Sequence, residues 1–204
     1  MVPRRPATGA QVRADRTRAT VIDETVRCVL EEGFAAASAK HITERAGVTW
    51  GVIQYHFGDR DGLLMAVVDL GFGQLLAALR DVAPDLAAGS GRDRTQRIVD
   101  VIWTAFSSPT SLAAMEILIA TRPGRRELDS EHLVELVSAL SGLARQLAEG
   151  LDPQHAEAIG EVIWTMLRGS MLAKMVAGEH GETARERRAL VEVITGYLDH
   201  QGCA

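Results

Sequence analysis

Between residues 49 and 57 the chain reads TWGVIQYHF, and several of these side chains suit the edges of nucleic-acid bases. On a helix with Ile53 and Phe57 turned inward, Trp50, Val52, Gln54 and Tyr55 project outward or to the flanks, with His56 near the end. Gln54 can pair bidentately with adenine, Val52 can touch a thymine methyl, and the polar tips can reach the phosphate backbone. Lys40 and His41 before this segment and Arg60 after it are placed for phosphate contacts. Ser38 and Thr49, each at the expected start of a helix, complete the set of candidate DNA-binding residues.

These side chains need a rigid support. Residues 14 to 32 place Ile22, Val26, Val29 and Leu30 on a 3.6-residue period, which predicts a first amphipathic helix ended by Gly33. Ser38 opens a short second helix whose buried face carries Ile42 and Ala46. Ala46-Gly47-Val48 is then a tight turn, and Thr49 opens the third helix. Two short helices joined by three or four residues with a glycine form a helix-turn-helix.

At these residues the chain resembles the TetR family of transcriptional regulators. The match is AGV-T-x-G-x-I-x-x-HF followed by Asp59-Arg60-x-x-Leu63-Leu64, within about residues 18 to 68. Family members commonly carry Tyr at the place of Gln54 and Lys at the place of Arg60. The arginine keeps the phosphate-binding charge, whereas the amide of Gln54 makes the base preference there this chain's own. The resemblance implies an all-helical dimer with a variable ligand-binding body, usually a repressor released from its operator by a small molecule. It also implies that the last two helices of each chain form a four-helix dimer bundle. The long helix behind the reader would then act as a lever, whose shift changes the separation of the two recognition helices. Dimeric readers need that separation to match successive major grooves of a palindromic operator.

Beyond the reader, Leu64, Val68, Phe72, Leu75 and Leu79 mark a helix from Asp59 to about Arg80, and residues 83 to 93 read as a surface loop. Ile98, Ile102 and Phe106 mark a fifth helix, and residues 111 to 120 a sixth. A seventh is expected from about Leu128 to Glu149. Asp152 and Pro153 open an eighth, with one stripe of Ile159, Val162, Met166, Ser170 and Ala173 and another of Ile163, Leu167 and Met171. A helix apolar on two faces must be covered on two sides, and a second subunit is the expected cover on one of them. The last helix carries Leu190, Ile194 and Tyr197. The fold class is thus all-α with about nine helices: a basic arm over residues 1 to 13, a DNA-binding domain over 14 to 60, and a ligand-binding and dimerisation domain over 61 to 204.

Trp103, Phe106, Met115, Leu118, Trp164 and Met166 are the candidate ligand-binding residues, because large adaptable side chains with few polar neighbours line small-molecule sites. Glu116, Arg122 and His132 are the nearest candidates for polar specificity.

Charge supports this division. Of the 204 residues 47% are hydrophobic, enough for a sizeable core, and the net charge is −5. Residues 1 to 57 hold eight Lys or Arg against six Asp or Glu, a balance of +2, while the remainder holds fourteen against twenty-one, a balance of −7. A protein that meets phosphate at one end is expected to look so.

No uncharged run reaches the roughly 18 residues of a membrane span, and the first residues lack the apolar segment of a signal peptide, so a cytoplasmic protein is expected. Cys28 and Cys203 give neither a disulfide framework nor a zinc spacing. There is no His-Glu-x-x-His, Gly-x-Ser-x-Gly or glycine-rich phosphate loop, so neither an enzyme, a metal site nor a cofactor is expected. Operator DNA, a small-molecule effector and a second copy of the chain are the expected partners. The competing reading is a helical dimer that binds a ligand or protein without productive DNA reading, for which Gln54 and the acidic average speak.

Overall fold

A computed structural model describes residues 9–82, 90–124, 153–177 and 184–200, together with the isolated positions 138 and 142. The helix expected over 128 to 149 and the cysteine at 203 lie outside the described residues. Eight α-helices and two short 3-10 turns are described: α1 (Gly9–Glu32), η1 (Phe34–Ala36), α2 (Ala39–Ala46), α3 (Trp50–Phe57), α4 (Arg60–Val82), α5 (Gly91–Phe106), α6 (Pro109–Thr121), η2 (Arg122–Gly124), α7 (Pro153–Ala177) and α8 (Ala184–His200). No strand occurs among them.

Two starts differ from the sequence expectation. α1 begins at Gly9 rather than Ala14, so residues 9–13, expected in the arm, are helical, and the Arg13 Nε donates to the Gly9 carbonyl. α5 begins at Gly91, inside the expected loop, because Ser90 and Asp93 cap each other: the Ser90 hydroxyl accepts from the Asp93 amide, and the Asp93 carboxylate accepts from the Ser90 amide. This reciprocal box satisfies two otherwise unpaired donors at the helix start.

The chain divides into two compact units, one of residues 1–70 with 113–125 and one of residues 71–112 with 126–204. The divisions fall inside α4 and α6 rather than at residue 60. In the first unit α1 packs against α2 and η1, and α2 against α3. Its core is Val21, Ile22, Val26, Cys28 and Val29 from α1, Ile42 from α2, Ile53 from α3, and Leu63, Leu64, Ala66 and Val67 from α4. Leu30, expected on the inner face of α1, is 40% exposed: it lies one position past Val29, on the side away from α2.

In the second unit α5 packs against α7 and α8. Ile98, Val99, Ile102 and Phe106 meet Ile159, Ile163, Leu167 and Met171 of α7 and Leu190, Val191, Ile194 and Leu198 of α8 in the core. The two stripes predicted on α7 do not divide as expected, because Ile159, grouped with Val162 in the sequence, is buried with the other stripe. The row at 159, 163, 167 and 171 is buried, while Val162 stays 51% exposed.

Helix α4 corrects one expectation. Residues Arg60–Asp81 are long and apolar enough to cross a membrane, with a mean hydropathy of 1.8 in the richest window, although none was foreseen. Half of that window is buried inside the protein, as in a core helix.

Candidate nucleic-acid interface

The helix-turn-helix is set by three local devices. The Ser38 hydroxyl accepts from the His41 amide at 3.2 Å and caps α2. Gly47 ends it in the left-handed conformation, φ 63 and ψ 33, which a residue with a Cβ adopts only under strain. The Val48 amide then donates to the Thr43 carbonyl, closing the turn. Thr49 occupies the N-cap of α3 in extended conformation but makes no side-chain cap bond, so its hydroxyl has no capping duty.

Gly62 positions the exit from α3. A Cβ at this residue would lie 2.0 Å from the carbonyl oxygen of Phe57, so the first turn of α4 rests on the end of α3 through bare backbone. The Asp59 carboxylate accepts from the Gly62 amide at 2.7 Å, capping α4 from just outside it.

On this support the outward face of α3 is open. Trp50 is 45% exposed and Tyr55 80%, and Gln54 is exposed as well. Val52 and His56 are half-buried at the flanks, with His56 edge-on to the Tyr55 ring at a centroid distance of 4.8 Å. Leaving an indole and a phenol in water costs folding free energy that burial would have recovered. A face kept in that state is available to a partner, and the amide of Gln54 lies beside it.

The flanking cations are more engaged than their spacing suggested. Lys40 extends into solvent, 3.9 Å from Glu44. His41 places Nε2 2.9 Å from a Glu32 carboxylate oxygen. Arg60 donates from Nε to the Ala37 carbonyl at 2.7 Å and lays its guanidinium over the Phe34 ring at 5.0 Å. It therefore ties η1 to the start of α4.

Arg45, which sequence reasoning passed over, is the electrostatic centre of the α1–α2 contact. It pairs with Glu31 at 2.8 Å, with Glu24 at 3.6 Å, and with Glu32. Hydrogen bonds to Glu31 and then Glu32 raise its pKa further, while bonds from His41 and Arg45 hold the Glu32 carboxyl below the usual carboxylate value. The run Glu31-Glu32 was visible in the sequence; the direction in which α2 crosses it was not.

Of the residues expected in a ligand site, two in the second unit come together. Phe106 and Trp164 meet edge to face with ring centroids 5.1 Å apart. Trp103 is buried beneath the Arg187 guanidinium, and Arg168 lies over Trp164. Met166 is half-buried on the same helix as Trp164. Met115 and Leu118, half-buried on α6, belong to the first unit.

Two concavities among the described residues lie elsewhere. One of about 360 Å³ is lined by Phe34, Asp61, Leu64, Met65, Ala120, Thr121 and Pro123. Another of about 240 Å³ lies between α7 and α8, lined by His155, Ile159, Val162, Val193 and Tyr197 among others. Glu116, a candidate for ligand specificity, accepts instead from the Phe34 amide at 2.7 Å. Arg122 is exposed in η2, and His132 lies outside the described residues.

A capped helix-turn-helix with an open recognition face defines a DNA-binding protein of the helix-turn-helix class. Residues 21–67 match the model of the bacterial regulatory proteins of the tetR family. The chain is 29% identical over 165 residues to the HTH-type transcriptional regulator BetI of Escherichia coli O17:K52:H18, covering 79% of this chain and 84% of the relative. In fold it resembles a putative TetR-family regulator from Mesorhizobium loti, with a TM-score of 0.71 at 17% identity over 91% of this chain and 96% of the other. It also resembles the transcriptional regulator FadR from Bacillus subtilis, solved in complex with stearoyl-CoA, with a TM-score of 0.64 at 14% identity over 87% and 97%. Residues 21–67 thus form a helix-turn-helix region of tetR type, and over most of its length the chain is similar to HTH-type transcriptional regulators.

Proposed function

We propose that this regulator is a cytoplasmic repressor that binds a palindromic operator as a homodimer and releases it when a small, largely apolar effector binds the body. The observation that carries the DNA half is the exposed face of Trp50, Gln54 and Tyr55 on a helix whose other side is anchored by buried Ile53. Dimerisation is supported by the outward apolar row Val162, Leu172 and Val176 on α7, with Val193 and Tyr197 on α8. The aromatic pair of Phe106 and Trp164 supports a ligand-binding body, as does the stearoyl-CoA complex of the FadR neighbour.

The mechanism is linkage. An effector that binds more tightly to the dimer with misplaced readers shifts the population toward it, by no more than its difference in affinity for the two states. Residues 60 to 82 form one helix that begins at the reader and continues into the body's unit, which supports reading this helix as the lever.

The engagement of His41 and Arg60 within the protein favours the second reading, a helical dimer without productive DNA reading. Electrophoretic mobility shift with the upstream region of the protein's own gene separates the two. The first reading expects a retained duplex, most strongly at low salt, that candidate effectors release. No retention above background at low salt would establish the second.

A further inference from the structure

The cysteine nearest the reader stands in a setting that DNA binding does not explain. Cys28 is fully buried on α1, and Glu32, four residues on, lies on the same face of that helix. The cap at Ser38 then turns the first turn of α2 so that His41 arrives beside both. The Cys28 Sγ, a Glu32 carboxylate oxygen and a His41 ring nitrogen all lie within 4.8 Å of one another.

We propose that Cys28, Glu32 and His41 form a zinc-binding site at the α1–α2 junction. Thiolate, imidazole and carboxylate are a donor set that Zn²⁺ takes and that Mg²⁺ and Ca²⁺ do not. With metal–donor distances of about 2.0 to 2.3 Å, tetrahedral donors stand roughly 3.3 to 3.8 Å apart. The observed spread closes by side-chain rotation of Glu32 and His41, each 37% exposed and open to an incoming ion. Glu32 divides its oxygens suitably: Oε2 faces His41, and Oε1 is held by Arg45, which orients the carboxylate from outside the donor set. Arg45 does not repel the ion outright, because Glu24, Glu31 and Glu32 outnumber it. Binding releases the Cys28 thiol proton to solvent and leaves a zinc–thiolate bond, with water in the fourth position. The ion would then replace the His41–Glu32 hydrogen bond and fasten the start of α2 to α1.

The test is titration of the metal-free full-length protein with Zn²⁺ against a chromophoric chelator, and with Co²⁺ followed by absorbance. We expect one ion per chain, a tetrahedral cobalt spectrum and a near-ultraviolet thiolate-to-cobalt charge-transfer band. Cys28→Ser removes that band, and His41→Gln weakens zinc binding by about tenfold or more. Failure of the wild type to hold zinc against the chelator overturns the site, as does an octahedral cobalt spectrum without the band. Cys28→Ser changes a fully buried position; should it not fold, His41→Gln decides alone, and unchanged zinc affinity in that variant overturns the proposal.

Discussion

Gln54 and Arg60 sit six residues apart and do different work. Gln54 is exposed on the open face of α3, and the base contact proposed for it makes its effect specific. Gln54→Ala is expected to weaken the operator more than random DNA, by about 1 to 3 kcal/mol for a bidentate contact. Mobility shift on both duplexes checks this, and equal losses remove Gln54 from base recognition. Arg60 is expected to act on folding as well. Its Nε satisfies the Ala37 carbonyl and its guanidinium covers Phe34, so Arg60→Ala should lower stability by about 1 to 3 kcal/mol in addition to weakening all DNA. Thermal melting without DNA reads the first effect by itself, and an unchanged Tm would return Arg60 to a purely phosphate-facing role.

At the scale of elements, two helix starts invite measurement. The bare backbone contact between Gly62 and Phe57 leaves no room for a methyl group. Gly62→Ala should therefore push α4 away from α3, costing about 1 to 3 kcal/mol as overpacking does, and weaken operator binding because the recognition helix is re-aimed. Denaturant unfolding and mobility shift measure the two parts; a variant with wild-type stability would show that the contact yields without cost. The start of α5 depends on ionised Asp93. Its side-chain and backbone hydrogen bonds with Ser90 hold the Asp93 carboxyl below its ordinary value of 3.8. A depressed carboxyl contributes stability that is present above the unfolded pKa and is lost as the pH falls through the lower folded one. Wild type should therefore lose more stability than Asp93→Asn between about pH 5 and the acid limit, as read by Tm against pH. Parallel profiles would mean that the box adds nothing measurable.

For the whole molecule, the question is what covers the outer faces of α7 and α8. Val176 is 83% exposed and Val193 67%, and the site of Gly169 between Val162 and Val176 has open space beside it. An apolar row of this kind in a regulator is an interface when a second chain covers it. If this row is the interface of the proposed dimer, Val162→Glu should shift it to monomer, seen by sedimentation or light scattering, with α7 retained by circular dichroism. A variant that remains dimeric would place the interface elsewhere.

Much of this was legible in the sequence because it depends on neighbours a few positions apart. Helical periods, the Ser38 cap, the glycine of the turn and the order of inward Ile53 and outward Gln54 and Tyr55 follow from local sterics and the 3.6-residue repeat. The resemblance to the tetR family follows too, since the motif's register lies in one short stretch. The starts of α1 and α5 were misjudged by a few residues, because residues 9–13, Gly-Ala-Gln-Val-Arg, carry no apolar period and the Ser90–Asp93 box lay inside a stretch rich in loop formers.

Only the tertiary structure decided which partners the polar side chains found. Glu116 reached the Phe34 amide across 82 positions, Arg60 reached Ala37, and Arg45 collected three glutamates from α1. The meeting of Cys28 and Glu32 with His41 has the same origin. A side chain's partner outside its own helix is set by the crossing of two packed elements, which spacing along the chain does not encode, whereas the face it occupies on its own helix is set by the helical repeat.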